Sequence, residues 1–135
     1  MQKKPIILFK GACFTVEYAI QTNGISESQE FIENLDVQKK VKILAIIKKY
    51  ANTGIIRSKE KFKKIKGDIW EFKQFQTRIL MYHCDHSCIA LTHGFIKKSP
   101  KTPKNQIEKA NRIIKEYDEI RKELSHECKN RIRKI

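Results

Sequence analysis

From Pro5 to Ile20 the chain is apolar and β-branched in bias, and Phe14, Val16 and Tyr18 alternate with Thr15 and Glu17. That period of two predicts one half-buried strand, ended by the turn residues QTNG. The period then lengthens. Ser26-x-x-Gln29 forms a capping box ahead of Phe31, Ile32 and Leu35, which predicts a short helix. Asp36 stands where it can cap a second helix, VQKKVKILAIIKKYA. There Val37, Val41, Leu44, Ile47 and Ala51 fall on one stripe, and Ile43, Ile46 and Tyr50 widen it. Lys39, Lys40, Lys42, Lys48 and Lys49 lie mostly off the stripe, and Asn52, Thr53 and Gly54 stop the helix.

Residues 55–66 read as basic and irregular. Three strand-like runs follow, DIWEFKQF, TRILMYH and CIALTHGFI, with short loops that make antiparallel neighbours the default. Beyond Pro103 a long helical pattern carries Ile107, Ala110, Ile114, Tyr117, Leu124 and Cys128 on its apolar side. Its last turns are more polar and are expected to fray or extend into solvent. The order β-α-α-β-β-β-α predicts an α+β fold: two early helices on one face of a twisted antiparallel sheet, then a long C-terminal helix. The length suits a single domain over residues 1–135.

Charge changes this picture from a fold to a class of partner. Twenty-nine Lys and Arg face fifteen Asp and Glu, a net +14 with a pI near 9.7. Such a surplus repels itself in a compact fold and points to a polyanion, nucleic acid first. The plainer alternative is a lysine-rich, solvated surface. A membrane surface ranks lower, because the charge is spread along the whole chain. The start, MQKKPIILFKGACF, has the opening of a signal peptide until Lys10 interrupts it. It is read as a strand and the protein as cytoplasmic, so Cys13, Cys84, Cys88 and Cys128 default to free thiols.

Three groups of residues are candidates for chemistry. Glu71 and Lys73 share a strand face, Arg78 opens the next strand, and Lys97 and Lys98 end the last one. Gathered on one concave face they would suit a phosphodiester: a guanidinium fork for the non-bridging oxygens, and ammonium groups for charge developing on the attacking or leaving oxygen. The competing reading is a sheet edge guarded by lysines. In YHCDHSC, the residues His83, Cys84, His86 and Cys88 invite zinc, but they crowd into one hairpin loop whose turn Asp85 and Ser87 suit. No metal and no cofactor are therefore expected. His93 is either a base for a ribose hydroxyl or a strand histidine satisfied by a backbone partner. Trp70, Phe72 and Phe75 are able to stack bases, though shared spacing assigns Trp70 and Phe72 to the core. The chain has no P-loop, dinucleotide fingerprint, HExxH or GxSxG.

Taken together, KIKGDIWEFK, TRILMY and LTHGFIKKSPKTPKNQIEKA resemble the RelE/ParE superfamily of bacterial toxins, in particular its phage-derived HigB-like branch. The likeness covers about residues 5 to 118; about 119 to 135 form a C-terminal helical extension. It implies a RelE-like fold and the toxin half of a type II toxin–antitoxin pair. Many such toxins enter the ribosome and cut mRNA without metal, using the message's own 2′-hydroxyl. By this resemblance Arg78 contacts the scissile phosphate, Lys98 supplies a cation after the last strand, and Lys73 another from the preceding strand. His93 and Glu71 are the candidates for the base. A C-terminal tyrosine that acts in some relatives has no clear counterpart; Lys104 falls near its place. Lys66, Lys97, Lys101 and Lys104 are assigned to RNA, and Arg78→Ala is expected to abolish toxicity with the fold intact. The implied partners are an antitoxin protein, the ribosome and mRNA. The alternatives are a ParE-like gyrase inhibitor without nuclease activity, and a non-catalytic basic RNA- or DNA-binding domain.

Overall fold

The computed structural model describes residues 4–99 and 102–133, with side chains up to residue 125. It is an α+β fold. In chain order the elements are β1 (Ile6–Lys10), β2 (Thr15–Tyr18), α1 (Glu27–Glu33), α2 (Val37–Thr53), β3 (Phe62–Lys66), β4 (Ile69–Gln74), β5 (Thr77–Asp85), β6 (Cys88–Ile96) and α3 (Lys104–Arg133). The strands form one six-stranded sheet in the order β1-β2-β6-β5-β4-β3.

The first strands and the sheet's pairing differ from the sequence-based expectation. The run from Pro5 to Ile20 is a hairpin, not one strand, because the chain turns over the end of α2. The Cys13 and Phe14 amides both donate to Ala51 O at 2.8 Å. A Cβ at Gly11 would stand 2.3 Å from that same carbonyl oxygen, so only glycine lets the turn come this close. The sheet is also mixed rather than antiparallel. β2 runs parallel to β6, with Thr15 opposite Cys88 and Tyr18 opposite Leu91. The intervening α1, α2 and three further strands make the long crossover that parallel pairing requires.

The helix signals are realised as hydrogen bonds. Ser26 Oγ accepts from Gln29 N, Asp36 Oδ1 accepts from Lys39 N at 2.9 Å, and Gly54 closes α2 at φ 72°. The buried face of α2 is carried by Ile43, Ile46, Ile47, Tyr50 and Ala51. Val37 and Val41, expected on it, are 75% and 61% exposed. The segment read as irregular contains β3, whose Phe62 stacks on Trp70 at 4.9 Å between ring centroids. Four lysines in FKKIK and its flanks had hidden the alternation.

Helices cover both faces of the sheet. Against α1 and α2 lie Val16, Phe72, Ile79, Met81, Ile89 and Leu91. Against α3 lie Leu80, Tyr82 and Ala90, packed on Ala110, Ile113, Tyr117 and Ile120. Buried on both sides, β5 and β6 read as nearly continuous apolar runs. α3 remains packed at Ile120, inside the expected extension. Among the described residues no helix is long and apolar enough to cross a membrane.

Candidate active site

Alternation along β4 and β5 decides what faces the start of α3. Phe72 and Ile79 point to the α1/α2 side, so Glu71, Lys73, Arg78 and Leu80 point to the other. The ladder sets Glu71 opposite Leu80, Lys73 opposite Arg78, and Lys63 of β3 opposite Glu71. A cavity of about 270 Å³ opens there, lined by Lys63, Glu71, Lys73, Lys97, Thr102 and Ile107 among others.

Its floor is an ion pair. Glu71 is 1% exposed, with Oε1 3.3 Å from Arg78 Nε. Its Oε2 accepts from Thr102 Oγ1 at 2.8 Å, which ties the KTP segment to the sheet. Arg78 is 9% exposed and does not offer a free fork. One terminal nitrogen donates to Phe75 O and also to Thr77 O at 3.1 Å, so the guanidinium braces the β4–β5 turn. Phe75 sits in that turn at φ 52° and is 82% exposed. Burial pulls the Arg78 pKa down and Glu71 opposes the shift. The expectation that Arg78→Ala leaves the fold intact does not survive this bonding, because its loss strands a buried carboxylate.

The lysines divide. Lys73 donates to Lys59 O at 3.2 Å and lines the cavity. Lys97 lines it too, anchored by its amide on Gln76 O at 2.7 Å. Burial, then the neighbouring Arg78, Lys73 and Lys63, lowers the Lys97 pKa, against Glu71, which raises it. Lys98 is exposed and does not line this cavity, so the inward cation after β6 is Lys97. Lys104 is exposed at the first residue of α3. Lys66 belongs elsewhere, beside Gly67, Asp68 and His83 at the opposite end of β4. Lys101 lies outside the described residues.

His93 is brought to the α3 side by a bulge. Leu80 pairs with His93 but Met81 pairs with Leu91, leaving Thr92 as the extra residue. The ring is 1% exposed, with Nε2 2.9 Å from Gln106 Oε1 and Nδ1 3.2 Å from Thr92 Oγ1. Burial holds its pKa below the usual histidine value. It supports the start of α3 from beneath and is not part of the cavity lining. Sequence reasoning had overlooked Lys63 and Thr102. The lysines that hid β3 hid the first as well, whereas the K-T-P run itself was a signal for the second.

The zinc candidates of the hairpin are separated. His83 Nε2 lies 2.7 Å from Tyr50 Oη on the α2 side, while Cys84 and Cys88 meet on the α3 side. Of the aromatics, Phe72 is fully buried and Trp70 is packed on the same core, which leaves Phe75 as the exposed ring among the three.

No curated protein matches the chain. Residues 30–115 match the model of the family described as Phage derived protein Gp49-like (DUF891), a span that runs from within α1 to within α3 and holds every lining residue of the cavity. The match covers well over half of the sequence, and the chain therefore belongs to the Gp49-like family, a family of RelE-like toxins.

Proposed function

We propose that this chain is the toxin of a type II toxin–antitoxin pair and acts as a ribosome-dependent endoribonuclease on mRNA. The observation that carries the reading is the cavity itself: Lys63, Lys73 and Lys97 surround a single lining carboxylate, Glu71, at the mouth of α3. Surface lysines guarding an edge would not need a buried ion pair beneath them.

In this reading the 2′-hydroxyl of the bound message attacks the adjacent phosphorus, and the 5′-oxygen of the next nucleotide leaves. A cyclic phosphate remains. Glu71 takes the 2′-hydroxyl proton, with Thr102 and Arg78 orienting its two oxygens. Lys63 and Lys73 hold the non-bridging oxygens, where charge accumulates in the transition state. Lys97 gives a proton to the departing oxygen; burial, with the neighbouring cations and against Glu71, makes its ammonium more acidic than an ordinary lysine. Arg78 and His93 are positioning residues here, the first for Glu71 and the β4–β5 turn, the second for Gln106. The net charge of +14 steers the protein to ribosomal RNA, and an acidic antitoxin segment would cover the same face.

The test is induced expression in bacteria without an antitoxin, with primer extension on a reporter mRNA in translated and untranslated forms. Cleavage confined to the translated message, and lost in Glu71→Gln and Lys97→Ala, supports the reading. Growth arrest with intact message would replace it with gyrase inhibition. Normal growth would leave a basic binding domain.

A further inference from the structure

The tip of the β5–β6 hairpin carries a group of side chains that the cleavage reading leaves unused, at the far end of the sheet from the cavity. Cys84 Sγ lies 2.7 Å from Cys88 Sγ. Both are free thiols; Cys84 is half-buried and Cys88 is 4% exposed. A register shift brings them together. His83 pairs with Ile89 and Asp85 with Cys88, so Cys84 is an extra residue, and it packs on the α3 side while His83 turns to α2. The turn between them is fixed by Asp85 Oδ1, which accepts from Ser87 N at 2.8 Å and from Ser87 Oγ at 3.1 Å.

α3 closes over the pair with one cation. Arg121 Nη1 lies 2.7 Å from Glu17 Oε1 and 3.5 Å from Cys88 Sγ, and its Nη2 lies 2.8 Å from Asp85 Oδ2. Tyr117 Oη donates to the same Glu17 oxygen at 2.5 Å.

Two chemistries fit paired thiols, and the surroundings choose between them. Donor atoms of Glu17, Cys84 and Cys88 lie within 4.8 Å of one another, which offers three ligands to a metal. Yet Glu17 Oε1 already accepts two hydrogen bonds, and a guanidinium stands against Cys88. Zinc would also need its two sulfurs about 3.7 Å apart, from Zn–S bonds of about 2.3 Å in a tetrahedron. These must separate to reach that, and a structural site would still lack its fourth ligand. A disulfide asks the sulfurs only to close to about 2.05 Å.

We propose that Cys84 and Cys88 form a redox-reactive dithiol, converted by hydrogen peroxide to an intramolecular disulfide across the hairpin turn. Cys84, the more accessible, attacks one peroxide oxygen as its thiolate. The O–O bond breaks, hydroxide leaves and is protonated to water, and Cys84 becomes a sulfenic acid. Cys88 sulfur then attacks Cys84 sulfur, the S–O bond breaks, and the Cys88 proton leaves with the oxygen as a second water. Two thiols lose two electrons and one peroxide gains them. Arg121, beside Cys88 Sγ, stabilises negative charge as that thiol gives up its proton. In the resting state the Cys84 hydrogen bond, then burial, hold the Cys88 pKa up.

The experiment uses the full chain, both as wild type and with Cys13→Ser and Cys128→Ser. After graded peroxide, free thiols are alkylated under denaturing conditions and the protein is weighed and peptide-mapped. The expected result is simultaneous loss of both alkylation sites with loss of two hydrogens. The Cys84–Cys88 bond should map within one peptide of the wild type, and dithiothreitol should reverse it. Cys84→Ser should leave Cys88 alkylatable after the same treatment. The proposal is overturned if both thiols stay alkylatable, if they gain oxygens independently, or if the purified protein carries stoichiometric zinc held by these two sulfurs.

Discussion

The Glu71–Arg78 pair makes a quantitative demand. Its side chains are 1% and 11% exposed, so neither charge has solvent to fall back on. At 3.3 Å the Coulomb attraction is about 5 kcal/mol with an effective dielectric of about 20, much of it offset by desolvation of the two ions. Glu71→Gln keeps an acceptor for Thr102 and removes only the charge. Arg78→Met keeps the volume and releases the carbonyls of Phe75 and Thr77. Each single change should cost about 3–5 kcal/mol, because it leaves its partner buried and unpaired. The double variant should be less destabilised than the sum by about 2 kcal/mol. Urea unfolding of the four proteins measures this. Additivity within about 0.5 kcal/mol would show that the two groups do not form the coupled floor of the cavity. The same cycle governs how toxicity assays are read. Arg78→Ala will lose toxicity partly by losing stability, whereas Lys97→Ala will not.

Three further outcomes follow from particular contacts. Lys73→Ala and Lys97→Ala should each lower the salt slope of single-stranded RNA binding by about 0.7 with unchanged thermal unfolding, and Lys97→Ala should lose more cleavage than Lys98→Ala; equal cleavage losses would remove the preference for the inward lysine. Gly94→Ala should destabilise by about 1–3 kcal/mol, because its Cβ would lie 2.1 Å from Phe31 Cδ1, and the cost should shrink in a Phe31→Ala background; an equal cost in both backgrounds would place the clash elsewhere. His83 and His93 are both pushed by burial below the ordinary value of 6.5. The fold thus favours their neutral forms, and the unfolded chain binds protons more readily. Stability should be full above that value and fall as pH drops through it, with a shallower fall in His93→Asn; unfolding free energies that match at about pH 7.5 and about pH 5.5 would refute the assignment.

The parts of this fold legible in the sequence were those written locally. Ser26, Asp36 and Gly54 announced the helix ends because capping needs only a residue and its neighbours a few places on. The alternation that set Glu71 and Lys73 opposite Phe72 needed only the strand's own period. What failed depended on distant partners. The parallel pairing of β2 with β6 joins residues 73 positions apart, as Thr15 with Cys88, and short loops elsewhere gave no hint of it. The hairpin at Gly11 exists because Ala51 presents a carbonyl to it.

The bulge at Thr92 shows why site residues are harder to read than elements. Counting by twos from Leu91, which packs toward α1 and α2, would send His93 to that same side. One extra residue reverses the count, and every later position of β6 changes face with it. Gly94 then meets Phe31, Phe95 packs with Leu80, and the next odd position, Lys97, reaches the cavity. A reading of the HGFIKK run without the bulge sends Lys98, not Lys97, to the cavity side. Deleting Thr92 should therefore make Leu91 and His93 direct neighbours on opposite faces, each still across from its present partner, Met81 or Leu80. His93 and Lys97 should keep the α3 side and cleavage should survive the loss of the buried hydroxyl; a folded deletion variant that no longer cleaves would refute this account of the bulge.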